Sequence, residues 1–72
     1  MLLDFPFAER LKIARHKKRL SQQELGDLVG YSGRYISACE KGRSTPPMRK
    51  FLFLCNALEV SADWLLGREM GK

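Results

Sequence analysis

Apolar residues recur along this chain at helical spacing, in short blocks divided by Gly, Ser and Pro. Leu11 and Ala14, with Phe7 on the same side, form one face of a first helix that Pro6 starts and that runs to about Lys18. Asp4, just upstream, supplies a cap or a charge favoured by the helix dipole. Lys12, Lys17, Lys18 and Arg19 fall on or beyond the wet side. A second helix begins at Ser21. Ser21-Gln22-Gln23-Glu24 is a capping box, in which the serine oxygen accepts the third amide and the glutamate reaches back. Leu25, Leu28 and Val29 face inward, and Gly30 stands where a left-handed backbone ends the helix. Tyr31 fills the turn and Ser32 caps a third helix, with Ile36 and Cys39 inward and Gly42 at its end.

Arg43 to Pro47 is a polar loop. Pro46 and Pro47 open a fourth helix, because first-turn amides have no helical partner to lose. Phe51, Leu54, Cys55 and Leu58 give its core face. Ser61 caps a short fifth helix, Ala62 to Leu66, which Gly67 stops. The expectation is one all-α, compact five-helix domain over residues 1–72, with residues 1–6 and 68–72 frayed.

Composition narrows the function. A chain of 72 residues buries a modest core and leaves little scaffold for a catalytic cleft. A net charge of +5 favours a polyanionic partner, either nucleic acid or an anionic surface. Cys39 and Cys55 lack metal-site spacing, and His16 cannot complete a four-ligand zinc site with them. Buried reduced thiols are expected, a disulfide less so. MLLDFPF is not a signal peptide, and no run approaches the ~18 apolar residues of a membrane span. A cytoplasmic protein is expected, with no metal, cofactor or small-molecule ligand and no membrane partner.

The most informative stretch is Ser21 to Gly42. It reads as two short helices joined by a tight turn, the geometry of a helix-turn-helix. Gly26 lies where the two helices approach closest, Gly30 allows the turn, and Ile36 plugs the angle. The outward positions of the third helix are then Gly33, Arg34, Ser37, Ala38 and Lys41. Arg34 is placed to reach a base edge, and arginine to guanine is the commonest specific contact. Ala38 suits a thymine methyl, whereas at Gly33 discrimination falls to backbone, water or DNA shape. Ser21, Gln22 and Gln23 make a phosphate seat at a positive helix end. Ser32 and Tyr35 join the backbone contacts, and Lys41, Arg43 and Ser44 hold the other side.

The chain resembles the lambda-repressor-like family of phage repressors and Cro proteins. The matching residues are Arg10-Leu11 and Arg15, Leu20 to Leu25, Gly30-Tyr31-Ser32, Ile36-Ser37 and Glu40-Lys41-Gly42. Ala57 to Ser61 and Asp63 to Leu66 follow in order. The resemblance covers about Phe7 to Gly67. It implies a double-stranded operator as partner, a homodimer, Gln22 on the DNA backbone, and base reading at Gly33, Arg34 and Ala38. It also implies an Arg15–Glu40 ion pair. Departures are Gly26 for the usual alanine, which would soften the second helix, Tyr31 for a small aliphatic, and the unreactive Gly33 and Ala38.

Bland readings stand beside the sharp ones. Lys17-Lys18-Arg19 is a solvated helix end before it is a DNA clamp. Trp64, Leu65 and Leu66 are either core cover or a dimer face. A sequence-specific regulator, repressing by occlusion of polymerase, leads. A protein-interaction module, such as an antitoxin, anti-repressor or adaptor, is the alternative. No nucleophile with a base and an orienting group is visible, so no enzyme is expected. The chain ends within a few residues of the Asp63-Trp64-Leu65-Leu66 motif, and a complete small regulator is the expectation.

Overall fold

Three serines divide the chain. In the computed structural model, whose residues 6–68 are described here, Ser21, Ser32 and Ser61 have extended backbones, and each hydroxyl accepts the backbone N–H three residues on. The distances are 2.9, 3.1 and 3.0 Å, from Glu24, Tyr35 and Trp64. At Ser21 the box is complete, because its own N–H donates to Glu24 Oε1 at 2.8 Å. The helices are α1 (Phe7–Lys17), α2 (Gln22–Val29), α3 (Gly33–Glu40), α4 (Met48–Leu58) and α5 (Ala62–Leu66). α1 lacks a side-chain cap, and Pro6 contributes its carbonyl to Arg10 N–H instead. Asp4, the expected cap, lies outside the described residues, as do most of the termini expected to fray. Arg68 is tied back, donating its N–H to the Asp63 carbonyl at 2.8 Å.

The core is a single cluster drawn from all five helices. Leu11, Leu25, Ile36, Leu54, Leu65 and Cys39 are fully enclosed, and Phe7, Ala14, Val29, Phe51, Cys55 and Leu58 complete it. Phe7 and Phe51 pack ring to ring at 5.7 Å between centroids. Each buried Leu or Phe contributes about 1.5–3 kcal/mol relative to exposure. Positive φ at Gly30 (81°) sends the chain sharply from α2 into α3.

Three expectations fail, each for a packing reason. Leu28 was expected inward but is 61% exposed. Leu25, Gly26 and Val29 are the buried residues of α2. At about 100° per residue, burial of Gly26 turns the core face roughly 110° away from Leu28. Gly33 was expected outward but is buried, because the start of α3 rests on the start of α2. Leu65 was offered as a dimer face but is 0% exposed, the residue of α5 turned into the core. Its neighbours Trp64 and Leu66 are half-buried against the same core.

Leu65→Ala is therefore expected to cost about 2–5 kcal/mol, while Leu28→Ser should stay within about 0.5 kcal/mol. Urea unfolding of both variants checks this. Equal losses would place the two leucines wrongly.

Candidate nucleic-acid interface

The helix-turn-helix rests on a close approach of two backbones. A Cβ on Gly26 would stand 2.6 Å from the Tyr31 carbonyl oxygen and 2.9 Å from the Ser32 carbonyl carbon. Glycine there does more than soften α2, because the turn sits closer than a methyl allows. The Tyr31 N–H donates to the Gly26 carbonyl at 2.8 Å, closing the turn. At Gly33 a Cβ would lie 3.0 Å from Gln23 Cα, so the first turns of α2 and α3 lie side by side.

This contact sets Gln23 against Gly33, the residue ahead of Arg34. Arg34 is exposed, and Ser37 and Ala38 are half-buried further along α3. Ser21 and Ser32 are exposed, and each spends its oxygen on a cap while its hydroxyl hydrogen remains to donate. Gln23 is exposed and donates to Asp27 Oδ1 at 2.9 Å. Gln22 is half-buried and donates to Glu40 Oε1 at 3.1 Å. At the far end of α3, Lys41 and Arg43 are exposed and Ser44 is half-buried. Gly42 (φ 77°) folds the chain back, so that Arg43 N–H reaches the Ala38 carbonyl at 2.9 Å. An eight-residue helix is about 12 Å long, comparable to the width of the DNA major groove. Polar groups at both its ends thus flank the stretch of α3 that carries Arg34, Ser37 and Ala38.

Tyr35 is less free than the sequence suggests. Its ring lies against Tyr31 at 4.1 Å. Burial, then the Cys39 thiol and Tyr31, push its phenol well above the usual range. Burial likewise raises both thiols, Cys39 and Cys55, which are free and enclosed.

Arg15 ties α1 to the end of α3. Its Nε donates to Glu40 Oε2 at 2.6 Å and its Nη2 to Glu40 Oε1 at 3.1 Å. Nη1 reaches the Leu20 carbonyl at 2.8 Å. The two side chains are 9% and 4% exposed, so this is a buried pair. His16 is exposed beside it, with Nε2 3.1 Å from Arg15 Nη2. Lys18, from the basic run, pairs with Glu59 at the end of α4 at 2.6 Å, where it draws the Glu59 carboxyl below its usual range.

Two cations escaped the sequence reading. Lys50 donates to the Val29 carbonyl at 2.9 Å and lies over the Tyr31 and Phe53 rings at 5.1 and 5.2 Å. It closes the end of α2 against α4. Arg10, read only as part of a motif, donates to the Trp64 carbonyl at 2.7 Å and covers the Trp64 ring at 4.9 Å. Neither partner is at helical spacing, so no local pattern announces them.

A family model described as a helix-turn-helix domain matches residues 6–65. The chain belongs to this family. The HTH-type transcriptional regulator YqaE of Bacillus subtilis (strain 168) is 36% identical over 63 residues. That match takes in 88% of this chain and 54% of YqaE, so the chain spans about half the length of such curated relatives. Among solved structures, the P22 c2 repressor in complex with a synthetic operator superposes with a TM-score of 0.83 at 35% identity. It covers 88% of this chain and 96% of that one. The restriction-modification controller protein C.AhdI of Aeromonas hydrophila has a TM-score of 0.77 at 31% identity, covering 85% and 92%. α2 and α3 are the two helices of the helix-turn-helix motif. No helix among the described residues is long and apolar enough to cross a membrane.

Two predictions follow from the buried groups of this helix-turn-helix domain. Arg15→Ala leaves the Glu40 carboxylate enclosed and unpaired, and should cost about 3–5 kcal/mol in denaturant unfolding. A loss under about 1 kcal/mol would show the pair to be solvated. The raised Tyr35, Cys39 and Cys55 groups hold their protons to higher pH when folded, whereas the unfolded chain begins to release them above about pH 8.5. Their stabilisation is intact below that pH and declines as pH rises above it. The urea midpoint should fall between pH 8 and pH 10.5; a midpoint that rises would contradict the burial of these groups.

Proposed function

We propose that this domain binds duplex operator DNA and regulates transcription, with α3 in the major groove. The observation that carries the reading is the contact of Gly33 with Gln23. It sets the start of α3, just ahead of the exposed Arg34, against the start of α2, which supports one approach to DNA that engages a base reader and a phosphate seat together. The net charge of +5 and the exposed Lys41 and Arg43 support it. The likeness to an operator-bound repressor supports it independently.

In this reading Arg34 selects a guanine, Ser37 and Ala38 line the groove, and Gly33 provides closeness without a side-chain contact. Ser21, Gln22, Gln23, Ser32, Lys41, Arg43 and Ser44 hold phosphates. Tyr35 contributes through its hydroxyl edge, since its ring is committed to the turn. The domain acts as a homodimer on paired half-sites about 34 Å apart. Its place of action is the cytoplasm, and occlusion of polymerase is the simplest mode of control.

A second reading has one observation in its favour. Leu28, Phe53, Asn56 and Ala57 line a shallow apolar groove between α2 and α4, separate from α3. A protein partner would dock there, as an interaction module requires.

Selection of bound duplexes from a random library, for the native chain and Arg34→Ala at matched salt, separates the readings. The native chain should enrich paired half-sites containing a G that the variant no longer demands, a change of about 1–3 kcal/mol in discrimination. Lys41→Ala should weaken all sequences alike and reduce the salt slope by about 0.9. No enrichment by the native chain would favour the protein partner.

A further inference from the structure

The Gln22 amide is held before any ligand arrives. Glu40 Oε1 accepts from Gln22 Nε2 at 3.1 Å and from Arg15 Nη2 at 3.1 Å, while Oε2 takes Arg15 Nε at 2.6 Å. Gln22 opens α2 and Glu40 closes α3, 18 residues later. We propose that Glu40 is a positioning residue for DNA binding, which fixes the polarity of the Gln22 amide so that a second Nε2–H faces a phosphate. The proposal rests on the duplex-binding reading above.

Donors and acceptors decide how the Gln22 amide is turned. An ionised carboxylate only accepts, and this one is paired with Arg15 in an enclosed place. The amide of Gln22 could otherwise present either its oxygen or its nitrogen outward. Turning the oxygen toward Glu40 would set two acceptors against each other, so nitrogen goes inward. That nitrogen carries two hydrogens. One is used by Glu40, and the other is left to donate from the first residue of α2. A phosphate oxygen fits that donor and would be repelled by the flipped amide. The glutamine side chain is also ordered in advance, which removes part of the entropy lost on binding. Arg15 and Glu40 thus act on DNA through Gln22 rather than by contact.

A double-mutant cycle on one duplex at one salt concentration tests this, using Gln22→Ala, Glu40→Gln and both together. Glu40→Gln keeps the shape but lets its own amide turn a donor toward Gln22. Gln22→Ala should weaken the native chain about fivefold, and the Glu40→Gln chain less than about twofold. Equal losses in the two backgrounds would overturn the positioning role. No loss on Gln22→Ala in a native chain that still binds would also overturn it, leaving the function reading intact. A native chain that binds no duplex would remove both. Should Glu40→Gln fail to fold, side-chain amide relaxation in the native chain decides. An ordered Gln22 amide is expected, and one as mobile as that of an exposed glutamine would overturn the proposal.

Discussion

A carboxylate enclosed at the end of α3 has to be neutralised where it stands, and Arg15 does so from α1. Desolvating such a charge alone costs several kcal/mol, so the fold is acceptable only with the guanidinium in place. The same guanidinium bonds the Leu20 carbonyl just ahead of α2. One side chain therefore sets the position of α1, the entry to α2 and the exit from α3. The pair adds little net stability over a well-packed apolar alternative. Its effect is geometric: α3 has one seat on the rest of the domain.

The second constraint is closeness. α2 and α3 meet without a Cβ at Gly26 and again at Gly33, so the turn and the two helix starts pack backbone to backbone. Tyr31 is large for such a turn, and it is accommodated by stacking outward on Tyr35 beneath the Lys50 ammonium. Lys50 meanwhile satisfies the last carbonyl of α2. The unusual turn residue is thus held from α4. Rigidity of this unit fixes where the short side chains Ser37 and Ala38 stand on α3.

Much of this was legible in the chain. The three serine caps, the Ser21–Glu24 box and the glycines at positions 30, 42 and 67 are local signals, and local geometry decides them. The core of α4 followed from spacing alone. What could not be read depends on which side of a helix a neighbour presses. Leu28 and Gly33 lie away from where the sequence put them, because the burial of Gly26 and the stacking of two helix starts come from tertiary contact, and of the two readings of Leu65 the core one holds. The Arg15–Glu40 pair came from family resemblance, not from spacing. The link from Gln22 to Glu40 and that from Lys50 to Val29 span 18 and 21 residues, and no sequence pattern marks them.

The central claim is that the starts of α2 and α3 form one DNA-facing surface. Backbone amide shifts of the native chain on addition of a short duplex at low salt test it most directly, since sequence-independent phosphate binding should use the same surface. The largest changes are expected at Gln22, Gln23, Arg34, Ser37 and Lys41. Changes centred on Leu28, Phe53, Asn56 and Ala57 instead, or none at any site, would contradict it.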